Sequence, residues 1–301
     1  MTYPTRGGRA VTAEPADEAP TTAPPPRDPR GSVRSRAACS SRRPGHPDGR
    51  LLAVLAGLLL TLALAASACG GSSAHAASEP RELSVFAAAS LTDAFTRIGD
   101  DFAAAHPGVK VTLNFAGSND LATQLQQGAP ADVYASADTT NMDKVADVVD
   151  TPRAFAGNKL CIAVAPGNPK GISWLGDLSR EDLKVVLAAP EVPAGKYADE
   201  MMSKAGVTVQ PVSLEVTVKG VVTKIALGEA DAGIVYVTDV SAAGGDVEGV
   251  AIADDQNVIA VYPIATVTAS RLPDDARAFV DYVLSPEGQR ILAGDGFLPS
   301  Q

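Results

Sequence analysis

Phe86-Ala87-Ala88-Ala89-Ser90-Leu91-Thr92-Asp93 is the stretch around which the chain is organised. Leu83, Val85 and Phe86 read as an apolar strand, and three alanines then turn the chain with almost no side-chain bulk. Ser90 reads as a helix N-cap. Asp93, three residues on, stands where a capping box usually has Glu or Gln. Leu91, Ala94, Phe95, Ile98 and Phe102 recur behind it at helical spacing. A strand that ends in small residues and feeds a capped helix can hold an anion, because free N–H groups and the positive end of the helix dipole point the same way. Ordinary βα turns share this pattern, so the stretch alone leaves the anion site open.

Charge divides the chain. Residues 1–69 carry nine Arg against five Asp and Glu, whereas residues 70–301 carry sixteen Lys and Arg against thirty Asp and Glu. The acidic body lacks the basic footprint that nucleic acid requires. An anion would have to be held there by local dipoles against the overall field. Residues 1–50 are rich in Pro, Arg, Gly, Ser and Thr and read as a disordered basic leader. Leu51 to Ala68 is an unbroken run of apolar and small residues, closed by Cys69. A basic segment, an apolar segment and small residues before a cut site make an export signal. A Cys directly after them resembles a bacterial lipobox, with Ala66 where that signal usually has Leu. The resemblance implies lipidation of Cys69, so 51–69 is taken as signal and lipobox. An uncleaved membrane anchor is the competing reading, since the run is just long enough to span. Residues 70–82 then form a flexible tether.

The body alternates strand and helix. Val109–Phe115, Asp132–Ser136, Lys159–Ala165, Leu183–Ala189, Pro211–Val216, Asp231–Tyr236, Val247–Ala253 and Asn257–Val267 read as strands. Helices are expected behind Ser118, over Asp138–Val149, over Lys196–Lys204, from Val218, after Thr238, and over Asp274–Leu284 and Pro286–Leu292. Trp174, Leu175 and Leu178 read as packing residues. The α/β pattern occurs twice, with one strand leading out and Asn257–Val267 leading back. The expectation is therefore mostly parallel sheets flanked by helices in two lobes, 83–162 with 262–301 and 163–261. Two crossings between lobes imply a cleft, and ligands of open α/β sheets sit at the carboxyl ends of strands.

The body lacks the usual catalytic patterns. It holds one histidine, His106, in a helix-ending turn, and one cysteine, Cys161, inside an apolar strand where it reads as a core residue. No His-Glu-x-x-His, phosphate-loop or Gly-x-Ser-x-Gly pattern occurs, no metal-ligand spacing is present, and no cofactor is expected. What recurs is five loops joining strand ends to helix starts through small or hydroxyl residues: Ala89-Ser90, Gly117-Ser118, Pro193-Ala194-Gly195, Thr217-Val218-Lys219 and Tyr236-Val237-Thr238. Each helix start is equivalent to about half a positive charge, so three or four roughly match a dianion.

Four phrases in order resemble the periplasmic molybdate-binding proteins of bacterial ABC importers: Val85–Leu91, Gly128–Val133, Val192–Ala198 and Gly233–Tyr236. The resemblance covers about residues 83–301. It implies a two-lobed type II periplasmic binding protein fold that closes on a tetrahedral oxyanion without a salt bridge. It implies hydroxyl and N–H donors from Ser90 and Ser118, backbone N–H donors from Ala194 and Val218, and the phenolic O–H of Tyr236 from the far lobe. The implied function is a monomeric, exported, lipid-anchored receptor at the outer face of the cytoplasmic membrane. It would bind molybdate or tungstate and deliver it to an importer permease. The alternatives are a receptor for another tetrahedral oxyanion such as sulfate, a cell-surface enzyme on the same fold, and an adhesin or structural lipoprotein.

Overall fold

The computed structural model describes residues 80–300. The expectations for the leader, the signal, Cys69 and all but the last residues of the tether lie outside these residues. Strand β1 (Arg81–Ala88) pairs in parallel with β2 (Val109–Ala116) and β3 (Val133–Ala135). Between them run α1 (Thr92–Ala105) and α2 (Ser118–Gln126), and the short α3 (Thr139–Asp143) follows β3. A second set repeats the pattern: β5 (Val185–Ala188), α4 (Pro193–Ala205), β6 (Ser213–Glu215), α5 (Val218–Ala226) and β7 (Ala232–Tyr236), with β5 parallel to both β6 and β7.

Two long strands join these sets. β4 (Arg153–Val164) pairs antiparallel with β9 (Ile259–Thr266) through Arg153–Lys159, and with β7 through Leu160–Val164. β9 pairs antiparallel with β3. The strand order is β2-β1-β3-β9-β4-β7-β5-β6, with β8 (Glu248–Ala251) and β10 (Leu298–Pro299) also pairing with β4. The expected parallel sheets are therefore the two flanks, and the crossing strands make the whole a mixed sheet. Helices α6 (Val237–Ala242), α7 (Pro273–Leu284) and α8 (Pro286–Gly294) complete the fold.

The same aspartate device fixes both parallel flanks. Asp132, just before β3, donates its N–H to Ser84 O and accepts the Ser84 N–H at Oδ2. Asp231, just before β7, does the same with Lys184 O and N–H. Each carboxylate takes over the next rung of the ladder, so register is set where each strand begins. Behind the first flank, Phe95, Ile98 and Phe102 of α1 are fully buried; Phe95 packs at a tilt on Phe155 of β4, and Phe95 and Phe102 both pack edge-on against Phe279 of α7. Each buried aromatic of this kind contributes about 1.5–3 kcal/mol.

Four expectations are corrected. Ser90 does not cap α1: it lies in a 3-10 turn, Ala89–Leu91, and its hydroxyl is engaged by Tyr262 instead. The helix expected over Asp138–Val149 ends at Asp143, and Val149 forms a bridge to Val267. The strand expected from Lys159 already starts at Arg153, passing an irregularity between Ala154 and Ala156. Trp174 is 56% exposed and lays its ring over Gly176, whereas Leu175 and Leu178 are buried as expected. His106 ends α1 by stacking on Phe102 at 3.9 Å, and Cys161 is free and buried, its thiol pushed up to about 12 by burial.

Candidate functional site

All five loops singled out in the sequence open onto one cavity. Its lining includes Ala88, Ala89, Ser90, Ala116, Gly117, Ser118 and Ala137 from the β2-β1-β3 flank. Val192, Pro193, Ala194, Thr217, Val218 and Tyr236 line it from the β7-β5-β6 flank. Ser90, Ser118, Ala194, Val218 and Tyr236 are thus brought together. The cavity is small. That suits one compact species. Among the described residues, no Asp, Glu, Lys, Arg or His lines it.

Local sequence explains why backbone donors face this space. The first N–H groups of a helix have no intrahelical partner. Ser118 and Val218 are the first residues of α2 and α5, and Ala194 is the second of α4, directly after Pro193, which has no N–H to give. Thr217 caps α5 by accepting the Gly220 N–H at 3.1 Å, leaving the Val218 N–H outside the cap. Gly195 allows α4 to start this close to the sheet: a Cβ there would stand 2.1 Å from Ala189 O and 2.4 Å from Ala188 O.

The hydroxyl groups are set differently. Ser118 Oγ accepts the backbone N–H of Ala137 at 3.0 Å, so its own hydrogen is left for the cavity. Ala137, which orients Ser118, carries no polar side chain that a sequence reading could have flagged. Ser90 Oγ lies 3.0 Å from Tyr262 Oη. The Tyr236 hydroxyl is buried and has no hydrogen-bond partner among the described residues, although the Tyr262 ring centroid is 5.9 Å from its own. Burial holds its phenol well above the ordinary value, so it remains a donor.

Charges surround the cavity without entering it. Lys196, two residues past Ala194, reaches across to Thr140 and to Asp138 at 3.8 Å. Lys219, next to Val218, reaches Asp93 at 3.1 Å. These pairs tie α4 and α5 to the opposite flank; the exposed Lys219–Asp93 pair is worth about 0–1 kcal/mol, whereas Asp138 is buried. Asp239, 3% exposed, accepts the Tyr236 N–H at 3.1 Å through Oδ2, while its Oδ1 has no partner. Burial pushes this carboxyl up to about 7, against the lowering effect of Lys219 and the Tyr236 N–H. Among the described residues no group of three or more His, Cys, Asp or Glu could hold a metal ion.

This arrangement has clear relatives. The profile of the family described as bacterial extracellular solute-binding protein matches residues 83–298. The molybdate-binding protein ModA of Mycobacterium tuberculosis is 42% identical over 257 residues, covering 82% of this chain and 98% of that protein. Among solved structures, the periplasmic molybdate-binding protein of Azotobacter vinelandii superposes with a TM-score of 0.64 at 18% identity, over 73% of this chain and 100% of that one. The sulfate-binding protein SubI of Mycobacterium tuberculosis gives 0.67 at 22% identity, over 73% and 87%. At those identities the two structures establish the shared type II periplasmic binding protein fold. The chain belongs to the bacterial extracellular solute-binding protein family, where it groups with the ModA molybdate-binding proteins.

Proposed function

We propose that this chain captures molybdate, and tungstate as its near equivalent, in the cavity between the two flanks, and delivers it to the permease of an ABC importer. One observation supports this above the others. A buried phenolic hydroxyl, Tyr236, shares a small cavity with three α-helix starts and two serines, and among the described residues the hydroxyl has no partner and no charged side chain lines the cavity. A dianion taken out of water needs many fixed donors, and hydrogen bonds to a charged group contribute about 1.5–3 kcal/mol each. In this reading Ser90 and Ser118 donate from one lobe (83–162 with 262–301), and Ala194, Val218 and Tyr236 from the other (163–261). No cofactor takes part and the chain acts as a receptor rather than an enzyme.

The same reading places the protein outside the cytoplasmic membrane as a monomer anchored by a lipid on Cys69. No helix of the described residues is long and apolar enough to cross a membrane. Thermal unfolding in molybdate, tungstate, sulfate and phosphate tests the ligand. A ligand at a hundred times its Kd adds about 2.7 kcal/mol of stability, so a rise with molybdate and tungstate alone supports the proposal. A rise with sulfate alone reassigns the oxyanion, and no rise with any of the four removes it. Fatty-acid labelling that persists in Cys69→Ser would remove the anchor.

A further inference from the structure

The direction of a serine hydroxyl decides whether it attracts or repels an anion. For Ser118 the backbone settles the matter, because the Ala137 N–H can only donate. For Ser90 the 3.0 Å contact with Tyr262 Oη could run either way, and the next partner decides it. Asn158 is fully buried, and its Oδ1 takes the Lys159 N–H at 3.0 Å. A backbone N–H cannot accept, so this contact fixes which end of the amide is oxygen. The Asn158 amino group therefore faces Thr238 Oγ1 at 2.8 Å and Tyr262 Oη at 3.5 Å, and it only donates. With that hydrogen pointing at it, Tyr262 Oη gives its own hydrogen to Ser90 Oγ, the hydroxyl at 3.0 Å, rather than to the Tyr236 hydroxyl that also neighbours it. Ser90 then accepts, and its hydrogen is released to the cavity. The reverse order would turn the Tyr262 hydrogen away from Ser90, toward Asn158 or Tyr236, and present a serine lone pair to the anion.

We propose that Asn158 and Tyr262 are positioning residues: they form a one-way hydrogen-bond relay that turns the Ser90 hydroxyl into a donor toward the bound oxyanion. The proposal rests on the oxyanion reading of the cavity. Its two members sit on β4 and β9, the strands that join the two flanks. Tyr262 is also held by its ring, which packs edge-on against Phe155, Tyr236 and Phe297 at 5.5–6.2 Å between centroids. Tyr262→Phe keeps that packing and removes only the relay.

A double-mutant cycle tests the relay, because only a coupling measurement separates an oriented network from independent contacts. Molybdate affinity is measured by calorimetry on the wild type, Tyr262→Phe, Ser90→Ala and the double variant. Tyr262→Phe is expected to weaken binding by about three- to tenfold in the wild type and by less than about twofold once Ser90 is alanine. Asn158→Leu is a second, independent variant and should show the same cancellation in the Ser90→Ala background. Equal losses in both backgrounds would overturn the relay while leaving the oxyanion site standing. A wild type that binds none of molybdate, tungstate or sulfate would overturn the site reading and the relay together.

Discussion

Replacing Asp239 by Asn should make the protein more stable, by an amount that grows with pH. The folded carboxyl titrates near pH 7 because it is buried, whereas in the unfolded chain an aspartate titrates near 4. Between these values the folded state holds a proton that the unfolded state has released. Stability therefore falls as pH rises from about 4 to about 7, and the loss is complete above the folded value. At about 1.4 kcal/mol per pH unit, the span amounts to roughly 4 kcal/mol. Asn keeps an oxygen for the Tyr236 N–H now bonded to Oδ2. It also puts an amide where Oδ1 has no partner, a cost of about 1–3 kcal/mol that does not vary with pH. The informative quantity is therefore the slope of the difference. Thermal unfolding of both proteins at pH 4, 5, 6, 7 and 8 should show the variant gaining on the wild type up to pH 7 and levelling off. For a domain of this size the total is about 8–16 °C in Tm. A difference that stays constant across the series would refute the burial argument, whatever its sign.

Three further substitutions probe the cavity and its frame. Ser118→Ala should weaken oxyanion binding by about 1.5–3 kcal/mol, read by calorimetry, and an unchanged affinity would remove Ser118 from the site. Tyr236→Phe should raise the ligand off-rate in stopped-flow displacement, since it deletes a buried donor from one side of the cavity; an unchanged off-rate would make Tyr236 a core residue only. Gly195→Ala should lower Tm and binding together, because its Cβ would stand 2.1 Å from Ala189 O and force α4 off the sheet; normal affinity with normal Tm would show that α4 starts elsewhere.

Much of the candidate site was legible because several of its proposed donors are backbone groups at helix starts, and helix starts carry local signals. Pro193, the cap Thr217 and the small residues around Gly117 mark three of them without any knowledge of tertiary structure. Ser90 shows the limit of such signals. Ser-x-x-Asp reads as a cap, yet the hydroxyl is taken by Tyr262, 172 residues away, and the turn closes instead through Thr92 Oγ1 donating to Ala89 O. Long-range competition of this kind has no local trace. Asn158 was hidden for a related reason. Gly157-Asn158 resembles a turn, but β4 runs straight through it because β9 pairs with it residue by residue from Asn158 back to Arg153, apart from one irregularity. The short α3 failed differently: Met142, Val145 and Val149 are all buried as helical spacing expects, but Val149 gives up helix geometry to bridge Val267.

In the proposed function, one tetrahedral oxyanion sits among Ser90, Ser118, Ala194, Val218 and Tyr236. A crystal structure of the protein grown with tungstate, with anomalous data collected at a tungsten absorption edge, tests it most directly. A single strong anomalous peak is expected in this cavity, with its oxygens within hydrogen-bond distance of both serine hydroxyls, the Ala194 and Val218 N–H groups and the Tyr236 hydroxyl. A fully occupied peak elsewhere on the molecule, with this cavity empty, would contradict it.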